Sequence, residues 1–166
     1  MLSSNGKQSK SLIFGTMQDS ITIKRQVDFS ETDMAGIVHF SNYLRWVEAA
    51  ESAFFQALEV PLISSSPENV MGWPRVRVQC DYKAPVMFQD QVEVFLFIRA
   101  IKVQAIEYGF KIYRLEGADR TLAAKGMLTT LYVKREPPSA PMKAAAIPQV
   151  LSEKIKVYCP HQSKQE

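Results

Sequence analysis

Two carboxylates and a histidine, Glu31, Asp33 and His39, fall within one short stretch that runs straight on into Phe40, Asn42 and Tyr43. A carboxylate can attack a carbonyl carbon or take a proton from water, and a histidine can exchange protons near neutral pH. Asp33 sits in a loop of turn-compatible residues, 30–36, directly ahead of a segment that reads as a helix. Backbone N–H groups at a helix start have no intrahelical acceptor, and the positive end of the helix dipole favours negative charge developing there. Gly36 would let backbone approach a ligand with no Cβ in the way. Taken alone, an aspartate in such a loop is a turn or capping residue. Gly36 equally well supplies a positive φ, Asn42 and Tyr43 cap and pack a helix as readily as they touch a ligand, and Glu31 is expected to face solvent.

These residues need elements to hold them. Residues 21–29 alternate, with Ile21, Ile23, Val27 and Phe29 on one face and Thr22, Lys24, Gln26 and Asp28 on the other. That period of two predicts a half-buried strand. After the loop, Ser41-Asn42 can cap a helix running to about Leu58 and stopped by Pro61. Its polar residues Arg45, Glu48, Ser52, Gln56 and Glu59 recur every three or four positions and nearly all else is apolar, which predicts a mostly buried helix.

The second half reads as strand. Val76, Val78, Cys80 and Tyr82 alternate with Arg75, Arg77, Gln79 and Asp81, which puts Arg75, Arg77 and Lys83 on one strand face. Residues 92–98 are apolar on both faces, Phe95 and Phe97 filling the second, as in a strand buried on both sides. Ile106, Tyr108, Phe110 and Ile112 alternate up to a turn at 116–119, and 122–133 makes a further strand. Pro148 can start a short helix over 149–157. One strand, a long apolar helix and four strands fit an α+β architecture in which a curved antiparallel sheet wraps the helix. A ferredoxin-like fold would need a second core helix between the later strands, and the sequence offers none. The folded domain is expected over 20–158, with a poorly ordered leader at 1–19 and a tail at 159–166.

Residues 27–46 resemble the active-site segment of the 4-hydroxybenzoyl-CoA thioesterase family of hot-dog proteins. The family pattern is an acid two residues before an Asp, then x-x-Gly-x-Val, an aromatic or His pair, x-Asn-Tyr and the helix. Its matches here are Asp33, Gly36, Val38, His39-Phe40, Asn42 and Tyr43. Residues 81–90 are similar to the family's Tyr-x-x-Pro-Val-x-Phe-x-Asp strand and turn. The resemblance implies a hot-dog fold and an acyl-CoA thioesterase with no metal and no cofactor. It also implies Asp33 as nucleophile or general base and the Phe40 backbone N–H as an oxyanion donor. Gly36, His39, Tyr43 and Lys83 would then contact the substrate, Lys83 toward the nucleotide phosphates. A homodimer joined through a continuous sheet, or a tetramer built as a dimer of dimers, is implied as well, with each site at a subunit boundary. Some relatives place Ser or Thr on the fourth strand near the acyl group, where this chain has Gln104-Ala105. Two other readings stand beside this one. A 3-hydroxyacyl thioester dehydratase or hydratase would have to use His39, and a non-catalytic acyl-CoA-binding module would ordinarily carry a further domain.

The bulk numbers agree with one globular domain. The chain has 166 residues, 46% hydrophobic and 10% aromatic, enough for a real core. A net charge of +3 is spread along the chain with no dense basic run, which argues against nucleic acid as a partner. Cys80 and Cys159 share no metal-ligand spacing and are read as thiols of a reducing, cytoplasmic compartment. No stretch approaches the roughly 20 apolar residues of a membrane helix.

Overall fold

The chain opens on the expected strand, β1 (Ser20–Gln26), with Ile21 and Ile23 buried in it and Val27 buried just after its end. A single 3-10 turn follows at Phe29–Glu31, and the chain then enters the long helix α1 (Phe40–Ala57). Two short strands come next, β2 (Ser64–Ser65) and β3 (Val70–Gly72). Four long ones follow: β4 (Arg75–Tyr82), β5 (Gln91–Ile101), β6 (Ala105–Glu116) and β7 (Asp119–Leu131). The short β8 (Val133–Arg135) and β9 (Lys143–Ala144) precede a closing helix, α2 (Gln149–Tyr158). This computed structural model describes residues 20–65, 70–136 and 139–158, so the expected leader and tail lie outside the described residues.

The five longest strands make one antiparallel sheet in the order β1-β5-β6-β7-β4, curved around α1. The helix buries Trp46, Val47, Ala50, Phe54 and Phe55 against Val94, Leu96, Ile98, Ile106, Phe110 and Leu128 of the sheet. Each large apolar side chain fully buried there contributes roughly 1.5–3 kcal/mol, and this is what holds α1 in place. Arg45, Glu48, Ser52 and Gln56 face solvent as their spacing predicts, but Glu51, between them, is 1% exposed. A smaller sheet, β2-β3-β8-β9, closes the far end over Phe55, Trp73 and Tyr132.

Two glycines let the long strands pack. Phe97 lies across its cross-strand partner Gly109 on the outer face, and Phe110 lies across Gly126 on the inner face. A Cβ at Gly109 would fall 2.3 Å from the Phe97 ring, and one at Gly126 would fall 2.0 Å from the Gln79 carbonyl oxygen. Phe97 is therefore only half-buried, over a glycine, with no second layer across it.

One strand departs from its alternation. The β4–β7 register shifts between Arg75 and Arg77, so Val76 is a bulge residue. The extra residue turns Arg75 inward to α1 while Arg77 stays outside. Arg75 pairs there with Glu48 and Glu51, so Arg75, Arg77 and Lys83 do not share a face.

Candidate active site

The loop before α1 is a small hairpin. Thr32 and Val38 form a bridge, the Asp33 N–H donates to the Ile37 carbonyl at 2.9 Å, and the Gly36 N–H donates to the Asp33 carbonyl at 3.0 Å. Gly36 takes φ +76°, the left-handed conformation this turn requires and glycine adopts without cost. Asp33 Oδ1 accepts the Ala35 N–H at 2.8 Å, while Oδ2 has no partner among the described residues. The Asp33 carboxylate is exposed with one oxygen free.

Glu31 holds this hairpin. Its side chain, 14% exposed, accepts from Arg25 Nη2 at 2.6 and 2.7 Å, from Trp46 Nε1 at 2.8 Å and from the Asp28 N–H at 2.9 Å. Its carbonyl accepts from the His39 N–H at 2.9 Å and from Asn42 Nδ2 at 2.7 Å. Glu31 does not face solvent. It ties β1, the loop and α1 together, and Arg25 stacks over Trp46 at 5.0 Å. The helix cap also differs from expectation. His39, not Ser41-Asn42, is the N-cap, its Nδ1 accepting from the Ser41 N–H at 3.4 Å. Asn42 is buried inside the first turn as the tether to Glu31.

The crossover from β4 to β5, residues 83–90, supplies the opposite wall. The Val38 N–H donates to the Val86 carbonyl at 2.7 Å, and Lys83 and Ala84 hang from the Ala123 carbonyl by their N–H groups. Asp90 Oδ2 closes the turn by accepting the Met87 N–H at 2.8 Å. The Tyr82 hydroxyl reaches across to donate to the Phe40 carbonyl at 3.0 Å, and its ring meets Tyr43 edge-on at 5.1 Å.

Between these walls lies a cavity of about 460 Å³. Asp33, Ile37 and Val38 line it from the hairpin, Phe40 and Tyr43 from the first turn of α1, and residues 82–85 from the end of β4. Asp33, Phe40, Tyr43 and Lys83 thus come together as the sequence suggested, whereas Gly36 and His39 lie outside the lining. Tyr82 and Pro85 join the wall unanticipated, although both are fixed positions of the downstream pattern. The Phe40 N–H is an open first-turn donor with no acceptor among the described residues. Burial pushes the Tyr43 phenol up to about 12, and Tyr82 also up to about 12, so both are neutral donors at ordinary pH. Among the described residues no three His, Cys, Asp or Glu side chains cluster to hold a metal, and no helix is long and apolar enough to cross a membrane.

A curved antiparallel sheet wrapped on one long helix is the hot-dog architecture. The family model of the thioesterase-like superfamily matches residues 27–155, and the chain belongs to that superfamily and is a thioester hydrolase. The 1,4-dihydroxy-2-naphthoyl-CoA hydrolase of Parasynechococcus marenigrum is 30% identical over 121 residues, 68% of this chain and 76% of that protein. The crystal structure of Slr0204, a 1,4-dihydroxy-2-naphthoyl-CoA thioesterase from Synechocystis, superposes with a TM-score of 0.69 at 25% identity, covering 82% of this chain and 95% of that one. The 4-hydroxybenzoyl-CoA thioesterase of Pseudomonas sp. strain CBS-3 shares the fold at TM-score 0.69 and 20% identity, covering 84% and 99%.

Proposed function

We propose that this protein hydrolyses an acyl-CoA thioester to the free acid and CoA, with Asp33 as the reacting carboxylate. The observation that carries this reading is the free Oδ2 of Asp33 in the same cavity wall as the open end of α1. The thioester carbonyl would sit between them, its oxygen toward the Phe40 N–H, where the helix dipole stabilises the developing oxyanion. Asp33 then either attacks the carbonyl carbon, expelling the CoA thiolate and leaving a mixed anhydride that water opens, or takes a proton from the attacking water. Phe40 and Tyr43 pack the acyl group, and Lys83 faces the anionic carrier. Gly36 shapes the turn that presents Asp33, and His39 caps the helix that presents Phe40.

A second copy of the chain completes the picture. Among the described residues one edge of β4 pairs with β7 and the other has no partner strand, and the bulge residue Val76 and its neighbour Val78 remain 54% and 42% exposed. Phe40, Met34 and Phe88 add exposed apolar surface beside the cavity. An edge of this kind invites a matching strand, and two-fold pairing of β4 with its own copy would continue the sheet and cover the patch.

The test is thiol release from short-chain, long-chain and aromatic acyl-CoAs by the parent protein and by Asp33→Asn, which keeps shape and removes charge. The reading expects hydrolysis of at least one thioester and a loss on the order of 10² or more in kcat for the variant. Full activity in Asp33→Asn, or no hydrolysis across the panel, would overturn it. Oxygen-18 appearing in Asp33 after a single turnover in labelled water marks the anhydride route. Sedimentation equilibrium of the parent and of Val78→Lys tests the β4 dimer, which the charged variant should weaken.

A further inference from the structure

On the outer face of the sheet, away from α1, a second cavity of about 400 Å³ opens over Gly109. Three cations rim it: Arg99, Lys111 and Lys125. Lys111 and Lys125 are directly opposite each other on β6 and β7, and like charges in that position repel. Elsewhere on this face Lys24 and Arg120 pair with Glu93, and Lys102 with Glu107, whereas Arg77 at the β4 end has no ion pair among the described residues. Arg99, Lys111 and Lys125 have no carboxylate within 4 Å among the described residues. Asp81, across from Lys125 in the β4 register, is the one acid in the rim. A register shift between Ile98 and Ala100 frees Arg99 from regular pairing, and its guanidinium leans over the groove to Met127 Sδ at 3.6 Å. The floor is made by the missing side chain of Gly109 and the flat Phe97 ring.

We propose that this groove binds a small phosphate-bearing anion, held by Arg99, Lys111 and Lys125 beside the Phe97 ring. The ligand neutralises the Lys111–Lys125 repulsion, which gives the otherwise unfavourable pair a use. Two sources share the chemistry: the phosphorylated nucleotide end of a CoA thioester, and a separate phosphorylated metabolite. Lys83 and Ala84 of the first cavity's wall hang from Ala123, two residues before Lys125 on β7.

Thermal denaturation at constant ionic strength tests the site without reference to hydrolysis. The probes are 3′-phospho-ADP, pyrophosphate and inorganic phosphate, with chloride as the matched control, on the parent protein, Lys111→Gln and Lys125→Gln. The proposal expects a rise in Tm of about 3–5 °C at ten times Kd for the parent and a shift at least halved in both variants. It also expects ligand-free Lys111→Gln to melt no lower than the parent, because repulsion is relieved. A parent shift no larger than that in chloride, or equal shifts in parent and variants, overturns the proposal. A response to 3′-phospho-ADP alone, with a raised KM for acyl-CoA but not for acyl-N-acetylcysteamine in the variants, assigns the anion to the substrate's own phosphates. Equal responses to pyrophosphate and 3′-phospho-ADP, with both KM values unchanged, support a separate ligand.

Discussion

At the N-terminal end of α1 Glu31 accepts from Arg25, Trp46 and Asp28, while eleven residues into the helix Glu51 is buried more deeply and satisfied less well. Arg75 donates to Glu51 Oε2; among the described residues Glu51 Oε1, the Tyr108 hydroxyl and Thr130 Oγ1 make no hydrogen bond of good geometry, although Tyr108 lies close enough to both to interact with them. Burial raises the Glu51 carboxyl above the usual carboxylate range, against the opposing pull of Arg75, and burial also raises Tyr108. A perturbed carboxylate is often a sign of function, yet here the perturbed one is sealed in the core. The exposed Asp33 faces the cavity instead. Glu31 uses both carboxylate oxygens to hold the hairpin still, while its neighbour Asp33 keeps Oδ2 open on the cavity wall.

Removing Glu31 breaks the comparison at its stronger end. Glu31→Ala strips acceptors from Arg25, the Trp46 indole and the Asp28 N–H at once. It should cost about 3 kcal/mol of stability, or a Tm lower by roughly 6–12 °C, with a fall in kcat although Asp33 is untouched. Calorimetry and thiol release together check this. A variant as stable and active as the parent would mean that the hairpin holds itself.

At the other end, Arg75→Ala leaves Glu51 buried without its principal cation. About 2 kcal/mol is expected, less than for a fully buried pair because Arg75 is 31% exposed and also meets Glu48. The pH dependence carries the sign. Glu51 has a folded-state pKa above its unfolded value, so the folded state holds the proton more tightly. The stability that Glu51 contributes is therefore fully present below its unfolded pKa, near 4.5, and is lost as pH rises from there through the folded pKa. Arg75→Ala should steepen that loss and Glu51→Gln should flatten it, as read from denaturant midpoints between pH 4 and 8.

The two regions were also unequally legible in the sequence. α1 announced itself by its helical spacing of polar residues, β4 and β6 by alternation, and β5 by a dense apolar run. Asp33 could be placed because its loop and helix are contiguous. Glu31 could not: the family pattern carries an acid at its position, but its partners Arg25 and Trp46 stand on different elements, and the pattern does not say what the acid holds. Glu51 broke the polar stripe of α1 without declaring its partner on β4. The Val76 bulge was invisible because alternation continues through it, so Arg75 read as a neighbour of Arg77. Strands of two or three residues, such as β2, β3 and β9, are too short to show a period at all.

Tyr82 tests the link between the cavity walls. Its hydroxyl donates from the end of β4 to the Phe40 carbonyl at 3.0 Å. Phenylalanine keeps the ring against Tyr43 and removes only that bond. About 0.5–1 kcal/mol is expected, since the group is partly exposed, along with a fall of about threefold in kcat and little change in KM if Tyr82 steadies the first turn. A raised KM with kcat intact would make it a binding contact instead.

The smallest effect belongs to His39, where capping and chemistry make opposite forecasts. Its Nδ1 accepts from the Ser41 N–H and lies 2.9 Å from Ser41 Oγ, so the ring acts as a cap with Nδ1 unprotonated toward the helix. His39→Ala should cost about 0.5–1 kcal/mol through the lost cap and lower hydrolysis less than about threefold. In His39→Asn the new side chain is a better N-cap than histidine, and it should recover the stability and the rate together. A dehydratase that relied on His39 as its acid or base would lose turnover by about 10² or more in both variants, however well the asparagine capped the helix. The two substitutions therefore separate a histidine that holds the helix end toward the thioester from one that would have to work on the substrate itself.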